Sequence, residues 1–124
     1  MADIYFPPRE LAVMSILWRH GSATVTEVRD ALDEGLAYTS VLSALQTLEE
    51  KGYVKHVAEG RAYRYFPLVE ADRAGGSALM RIRESIFQGS AERMFAQMVS
   101  DRKLSRSELE RMRRLLADRL KEEK

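Results

Sequence analysis

The sequence predicts a mainly α fold with one small β-hairpin, divided into residues 1–70 and residues 71–124. Three observations carry this. Apolar residues recur at helical spacing in three short segments before Lys51. Across residues 53–66 the period switches to that of strands. From Glu70 onward only helical periodicity remains.

The first helix is expected over residues 8–19. Pro8 suits a first helical position, where its missing N–H costs nothing. Leu11, Met14, Leu17 and Trp18 form the expected apolar face, and His20-Gly21 ends the helix. Thr24-Val25-Thr26-Glu27 then reads as a capping box opening a second helix, with Val25, Val28, Ala31 and Leu32 as its inner stripe. Asp33-Glu34-Gly35 breaks it.

The third helix is expected over residues 38–51. Val41, Leu45 and Leu48 share one arc of its wheel, with Leu42 and Ala44 at the edges. The opposite arc carries Thr39, Ser40, Ser43, Gln46, Thr47 and Glu50. An ordinary solvated face favours Glu and Lys, whereas this one is built of short hydroxyls and an amide. After Gly52, residues 53–57 and 61–66 are rich in β-branched and aromatic side chains around Ala58-Glu59-Gly60, which predicts a hairpin closed by Pro67. Three helices followed at once by a hairpin is the order of a winged helix-turn-helix, with the third helix in the recognition position.

Three more helices are expected over about residues 72–88, 90–100 and 105 onward. Gly75-Gly76 weaken the start of the first by about 1 kcal/mol each. Ser105-Arg106-Ser107-Glu108 is a second capping box, with Leu104 and Leu109 as a hydrophobic staple. Their apolar stripes hold Leu79, Ile82 and Ile86, then Met94, Phe95 and Met98, then Leu109, Met112, Leu115, Leu116 and Leu120. Three thin helices cannot bury these stripes alone, and small units are rescued by disulfides, metal or oligomerisation. The chain has no Cys and only two His, so a helical dimerisation region is expected, with Leu79, Ile82, Ile86, Met94, Phe95, Met98, Leu109, Met112 and Leu116 at its interface. The alternative is that these helices complete one monomeric core with the first part.

Composition narrows the classes. With 45% hydrophobic and 31% charged residues, the chain is expected to be soluble, folded and cytoplasmic. Neither a membrane span nor a leader at Met1 is expected. No cofactor is implied. His20 and His56 are too few for a metal site, and no phosphate-binding loop or nucleophile motif is present, so no enzyme is expected. Net charge is only +1, and residues 1–71 carry seven Lys or Arg against ten Asp or Glu. Bulk charge therefore argues nothing for nucleic acid, and position must decide.

The polar face of the third helix is the functional candidate. Ser and Thr bond to bases or phosphates, and Thr methyls pack on thymine methyls. Lys55, His56, Arg61 and Arg64, interleaved with Tyr63 and Tyr65, suit a wing against the phosphate backbone. These cations would also blunt an exposed strand edge. A winged helix that contacts only proteins is the other class. A rim of Arg9, Arg19, Lys55, Arg61 and Arg64 favours DNA, and a rim of Asp33, Glu34 and Glu50 favours a protein.

Taken together, Glu10-Leu11-Ala12-Val13-Met14, Ile16-Leu17-Trp18, Thr24-Val25-Thr26-Glu27-Val28, Ala37-Tyr38-Thr39-Ser40-Val41-Leu42, Leu48-Glu49-Glu50-Lys51-Gly52-Tyr53, Gly60-Arg61-Ala62-Tyr63, Phe87-Gln88-Gly89-Ser90 and Lys103-Leu104-Ser105 form an ordered set. In it the chain resembles the penicillinase and methicillin-resistance repressors of the BlaI/MecI type. The resemblance implies a winged-helix homodimer that represses transcription from inverted-repeat operators in double-stranded DNA. It implies base contacts from Thr39, Ser40 and Ser43. Thr24, Tyr38, Lys55, Arg61 and Tyr63 would hold the DNA backbone, joined there by Gln46, Thr47 and Arg64. It also implies a partner system, a membrane sensor metalloprotease whose signal leads to cleavage at the bond matching Gln97–Met98. The best-known family members have Asn-Phe at that bond, where this chain has Gln-Met.

Overall fold

A computed structural model describes residues 3–123, so Met1, Ala2 and Lys124 lie outside it. The element order is α1 (Pro8–His20), β1 (Ala23–Thr24), α2 (Val25–Leu32), α3 (Tyr38–Glu50), β2 (Val54–Glu59), β3 (Ala62–Pro67), α4 (Ala71–Ser85), α5 (Ala91–Val99) and α6 (Arg106–Glu122). The chain divides into two compact units, one ending at Leu79 and the other beginning at Met80.

In the first unit, α1, α2 and α3 pack around one core. Val13, Met14, Ile16 and Leu17 come from α1, Val25 and Val28 from α2, and Val41, Leu45 and Leu48 from α3. The α1 face differs from expectation at one position. Leu11 is 46% exposed, and Val13 and Ile16 take the core positions instead. The difference is one of phase: the buried arc is centred on Val13, Met14 and Leu17, and Leu11 falls outside it. Ala31 likewise faces solvent. Its small side chain is cheap to expose, and Val25 and Val28 already fill the interior.

The capping box on α2 forms as the sequence predicts. Glu27 N–H donates to the Thr24 hydroxyl at 3.2 Å, and Thr24 N–H donates to Glu27 Oε1 at 3.0 Å. Asp33, at φ 51, closes α2 in the left-handed region.

The hairpin belongs to a three-stranded antiparallel sheet of order β1-β3-β2. β1 was not expected. It pairs Ala23 with Tyr65 and Thr24 with Arg64. The turn is also tighter than Ala58-Glu59-Gly60, because those first two residues pair within β2. Glu59 faces Ala62, leaving Gly60-Arg61 as a two-residue connection. Gly60 has φ +61, the positive angle that the first central position of such a turn demands. Pro67 closes the strand as expected, occupying its last pair, opposite Val54.

The segment before α1 is part of the core. Ile4 and Phe6 are buried, and Phe6 meets the rings of Trp18 and Tyr53 edge-on at 5.9 and 4.9 Å. Trp18 Nε1 donates to the Val69 carbonyl at 2.8 Å, so the indole has a polar partner as well as an apolar bed. The start of α4 joins this unit through buried Ala74 and through the Ser77 hydroxyl, which accepts from Ile4 N–H.

In the second unit, Ser90 caps α5 by accepting from Arg93 N–H, and Ser105 and Glu108 form the predicted capping box on α6. α4 ends before residue 88, because Gln88 (φ 47) and Gly89 (φ +84) are both left-handed. Among the described residues, none after Ala74 is buried. No helix among them is long and apolar enough to cross a membrane.

Candidate nucleic-acid interface

Burial fixes the orientation of α3. Val41, Leu45 and Leu48 are fully enclosed, so the opposite arc must face out. On that arc Thr39, Ser43, Gln46 and Glu50 are exposed, and Ser40 and Thr47 are half-buried. The sequence-predicted base-reading residues therefore lie on one side of one helix. The N-cap residue is Ala37, which offers no side-chain acceptor. Ser40 N–H turns back to the Ala37 carbonyl at 3.0 Å, so among the described residues it is the Tyr38 and Thr39 N–H groups that no side chain caps. Tyr38, at the first position, is 41% exposed.

The sheet places the wing residues. Lys55, Arg61 and Tyr63 are exposed, with Arg61 at the hairpin tip. Lys55 Nζ lies 5.8 Å from the centre of the Phe66 ring, which steadies its aliphatic stem against the sheet. Tyr65 points the other way and is buried in the core, where desolvation raises its phenol pKa. Among the described residues, Lys55, Arg61, Arg9 and Arg19 have no carboxylate partner; Asp33, Glu34 and Glu50 have no cation.

Two of the predicted backbone-contact residues are already engaged. The Thr24 hydroxyl accepts the cap bond from Glu27. Arg64 forks onto Glu59, with Nε to Oε1 and Nη2 to Oε2 both at 3.0 Å. Its Nη1 also donates to Glu27 Oε1 at 3.2 Å and to the Ser22 hydroxyl at 3.3 Å. These bonds push the guanidinium pKa up. They hold both carboxyls below their usual value, Glu27 first through the Thr24 backbone bond and then Arg64, Glu59 through Arg64.

Sequence reading missed a further link. His56 Nδ1 lies 2.7 Å from Glu49 Oε1 and its ring sits 4.6 Å from that of Tyr63. Nothing in the linear pattern marks this pair, because the turn at Gly52 sets the two residues against each other.

A family model described as the penicillinase repressor matches residues 6–118. The chain belongs to the penicillinase repressor family. Within that family it is 33% identical to the transcriptional regulator BlaI of Mycobacterium tuberculosis, over 88% of this chain and 80% of that protein. It is 23% identical to the penicillinase repressor of Bacillus licheniformis, over 88% and 87%. Among solved structures, it is similar to the solution structure of the DNA-binding domain of the repressor BlaI. The TM-score there is 0.52 at 27% identity, covering 58% of this chain and 90% of that one. Penicillinase repressors are transcriptional regulators, and the fold found here, mostly helical with a small antiparallel sheet, agrees with the winged-helix expectation.

The remaining sequence-predicted positions lie further along the chain. Leu79, Ile82, Ile86, Phe95, Met98, Leu109 and Leu116 are exposed, and Met94 and Met112 are half-buried. Gln97–Met98 falls in the last turn of α5, with both residues exposed and the Gln97 carbonyl accepting from the Ser100 hydroxyl at 2.8 Å.

Proposed function

We propose that this chain is a transcriptional repressor that binds an inverted-repeat DNA operator as a homodimer. α3 enters the major groove and the β2–β3 wing lies on the phosphate backbone. The observation that carries this reading is the outward arc of α3, which is short, polar and nearly uncharged and lies directly before a cationic wing. Thr39, Ser40 and Ser43 are the base-reading residues. Tyr38, Gln46, Thr47, Lys55, Arg61 and Tyr63 bond phosphates or sugars around them. The family membership supports the same reading.

The homodimer rests on the helices from α4 onward. Seven of the nine predicted interface residues are exposed in the single chain, which is a poor state for Ile, Leu and Phe in water. Two copies would cover these faces and supply two readers. The α3 arc has no Arg for a bidentate guanine contact, and a paired reader offsets that by avidity. Dimer dissociation is then the natural switch. Scission at Gln97–Met98 by a protease under a sensor's control would provide it by cutting α5.

The test compares a duplex carrying two inverted half-sites with one carrying a single half-site. Binding to the full site at a ratio of two chains per duplex supports the reading. Equal affinity for both duplexes at one chain per duplex contradicts it.

A further inference from the structure

We propose that Arg64, although it sits on the wing among DNA-facing cations, is a positioning residue and does not contact phosphate. The proposal rests on the operator-binding reading above and deepens it.

Four of the five N–H donors of the guanidinium have partners within the chain. Both oxygens of Glu59 take the Nε/Nη2 edge at 3.0 Å, and Nη1 is shared between Glu27 Oε1 and Ser22 Oγ. The side chain is only 25% exposed. Its three partners come from three places in the fold. Glu59 ends β2 at the wing tip, Glu27 lies in the first turn of α2, and Ser22 sits in the connection after α1. Arg64 itself is on the central strand and pairs with Thr24, the N-cap of α2.

One planar fork therefore ties the wing tip to the N-terminal end of α2. Both elements flank α3. A phosphate could take Arg64 in two-bond geometry only by displacing a carboxylate already held that way, at no gain in the number of charge-assisted bonds, because one Nη2 N–H alone is left over. Arg61 and Lys55 face no such competition, and they are the wing's phosphate ligands. A Lys at position 64 would keep the charge but could not span the fork.

The experiment measures operator affinity across a salt series for wild type, Arg61→Gln, Arg64→Gln and Arg64→Lys, with folding checked by thermal melting. Each phosphate contact contributes about 0.9 to the log–log slope. Arg61→Gln is expected to lower the slope by about one contact. Both Arg64 variants are expected to weaken binding by roughly two- to fivefold, equally, with the slope unchanged. A lowered slope in Arg64→Gln, or full affinity in Arg64→Lys, overturns the proposal. Glu59→Gln, whose exposed side chain leaves folding intact, supplies an independent arm. Amide exchange at Glu59 and Ala62, the pair that closes the hairpin, should rise in the free protein of this variant, and unchanged exchange there overturns the proposal. If wild type binds no duplex, the operator reading fails instead, and the exchange arm still judges the positioning role.

Discussion

His56 on β2 holds Glu49 on the last turn of α3, with Nδ1 2.7 Å from Oε1. This pair ties the wing to the helix proposed to read DNA. Both side chains are about one-third exposed, so the pair is partly screened by water. His56→Ala should therefore cost at most about 1 kcal/mol of stability, while weakening operator binding several-fold through a looser wing. Thermal melting and anisotropy titration on the same variant separate the two effects.

The outward arc of α3 makes a sequence-specificity prediction. Ser40→Ala and Ser43→Ala should each narrow the gap between operator and scrambled duplex by about 1 kcal/mol or more. The salt slope should stay as in wild type, because no phosphate contact is lost. Parallel titrations on the two duplexes give both quantities.

Leu45 and Ile86 should behave oppositely. Leu45 is fully buried in the first unit, and Leu45→Ala should cost roughly 2–5 kcal/mol and drop the melting temperature sharply. Ile86 is 60% exposed in the single chain. Ile86→Asp should leave the first unit folded and shift the protein to monomer. Sedimentation equilibrium with circular dichroism reads both outcomes.

Glu27 and Glu59 give a pH prediction. Both carboxyls are held below the ordinary Glu value of 4.5, Glu27 by the Thr24 backbone bond and Arg64, Glu59 by Arg64. The stability they contribute is present above that value and is lost as pH falls through the folded values. Acid titration of the folded state should thus show a loss of stability below about pH 4.5. In Glu59→Gln that loss should be shallower.

Much of this architecture is legible in the sequence because its signals are local. The Thr24–Glu27 and Ser105–Glu108 boxes sit three residues apart, and the α3 arc follows from a run of apolar residues at helical spacing. The misses are the features that depend on distant partners. β1 is two residues long, has no period of its own, and exists only because β3 offers it Tyr65 and Arg64. Ile4 and Phe6 lie in an extended segment whose burial depends on Trp18, Tyr53 and Ser77. Leu11 looks like a core residue by type, but the helix phase turns it outward. At the site, the residue types on α3 and the wing could be read directly. That Arg64 is held by two carboxylates could not, since Glu27 is far from it in sequence and reaches it only across the folded sheet.

The most direct test of the central claim is an anisotropy titration of the purified chain. It compares the promoter upstream of its own gene with a scrambled duplex, each over a range of salt concentrations. Tighter binding to the promoter is expected, with log affinity falling linearly against log salt at about 0.9 per phosphate contacted. Absence of binding to either duplex at low salt would contradict it, and would assign the α3 face to a protein partner.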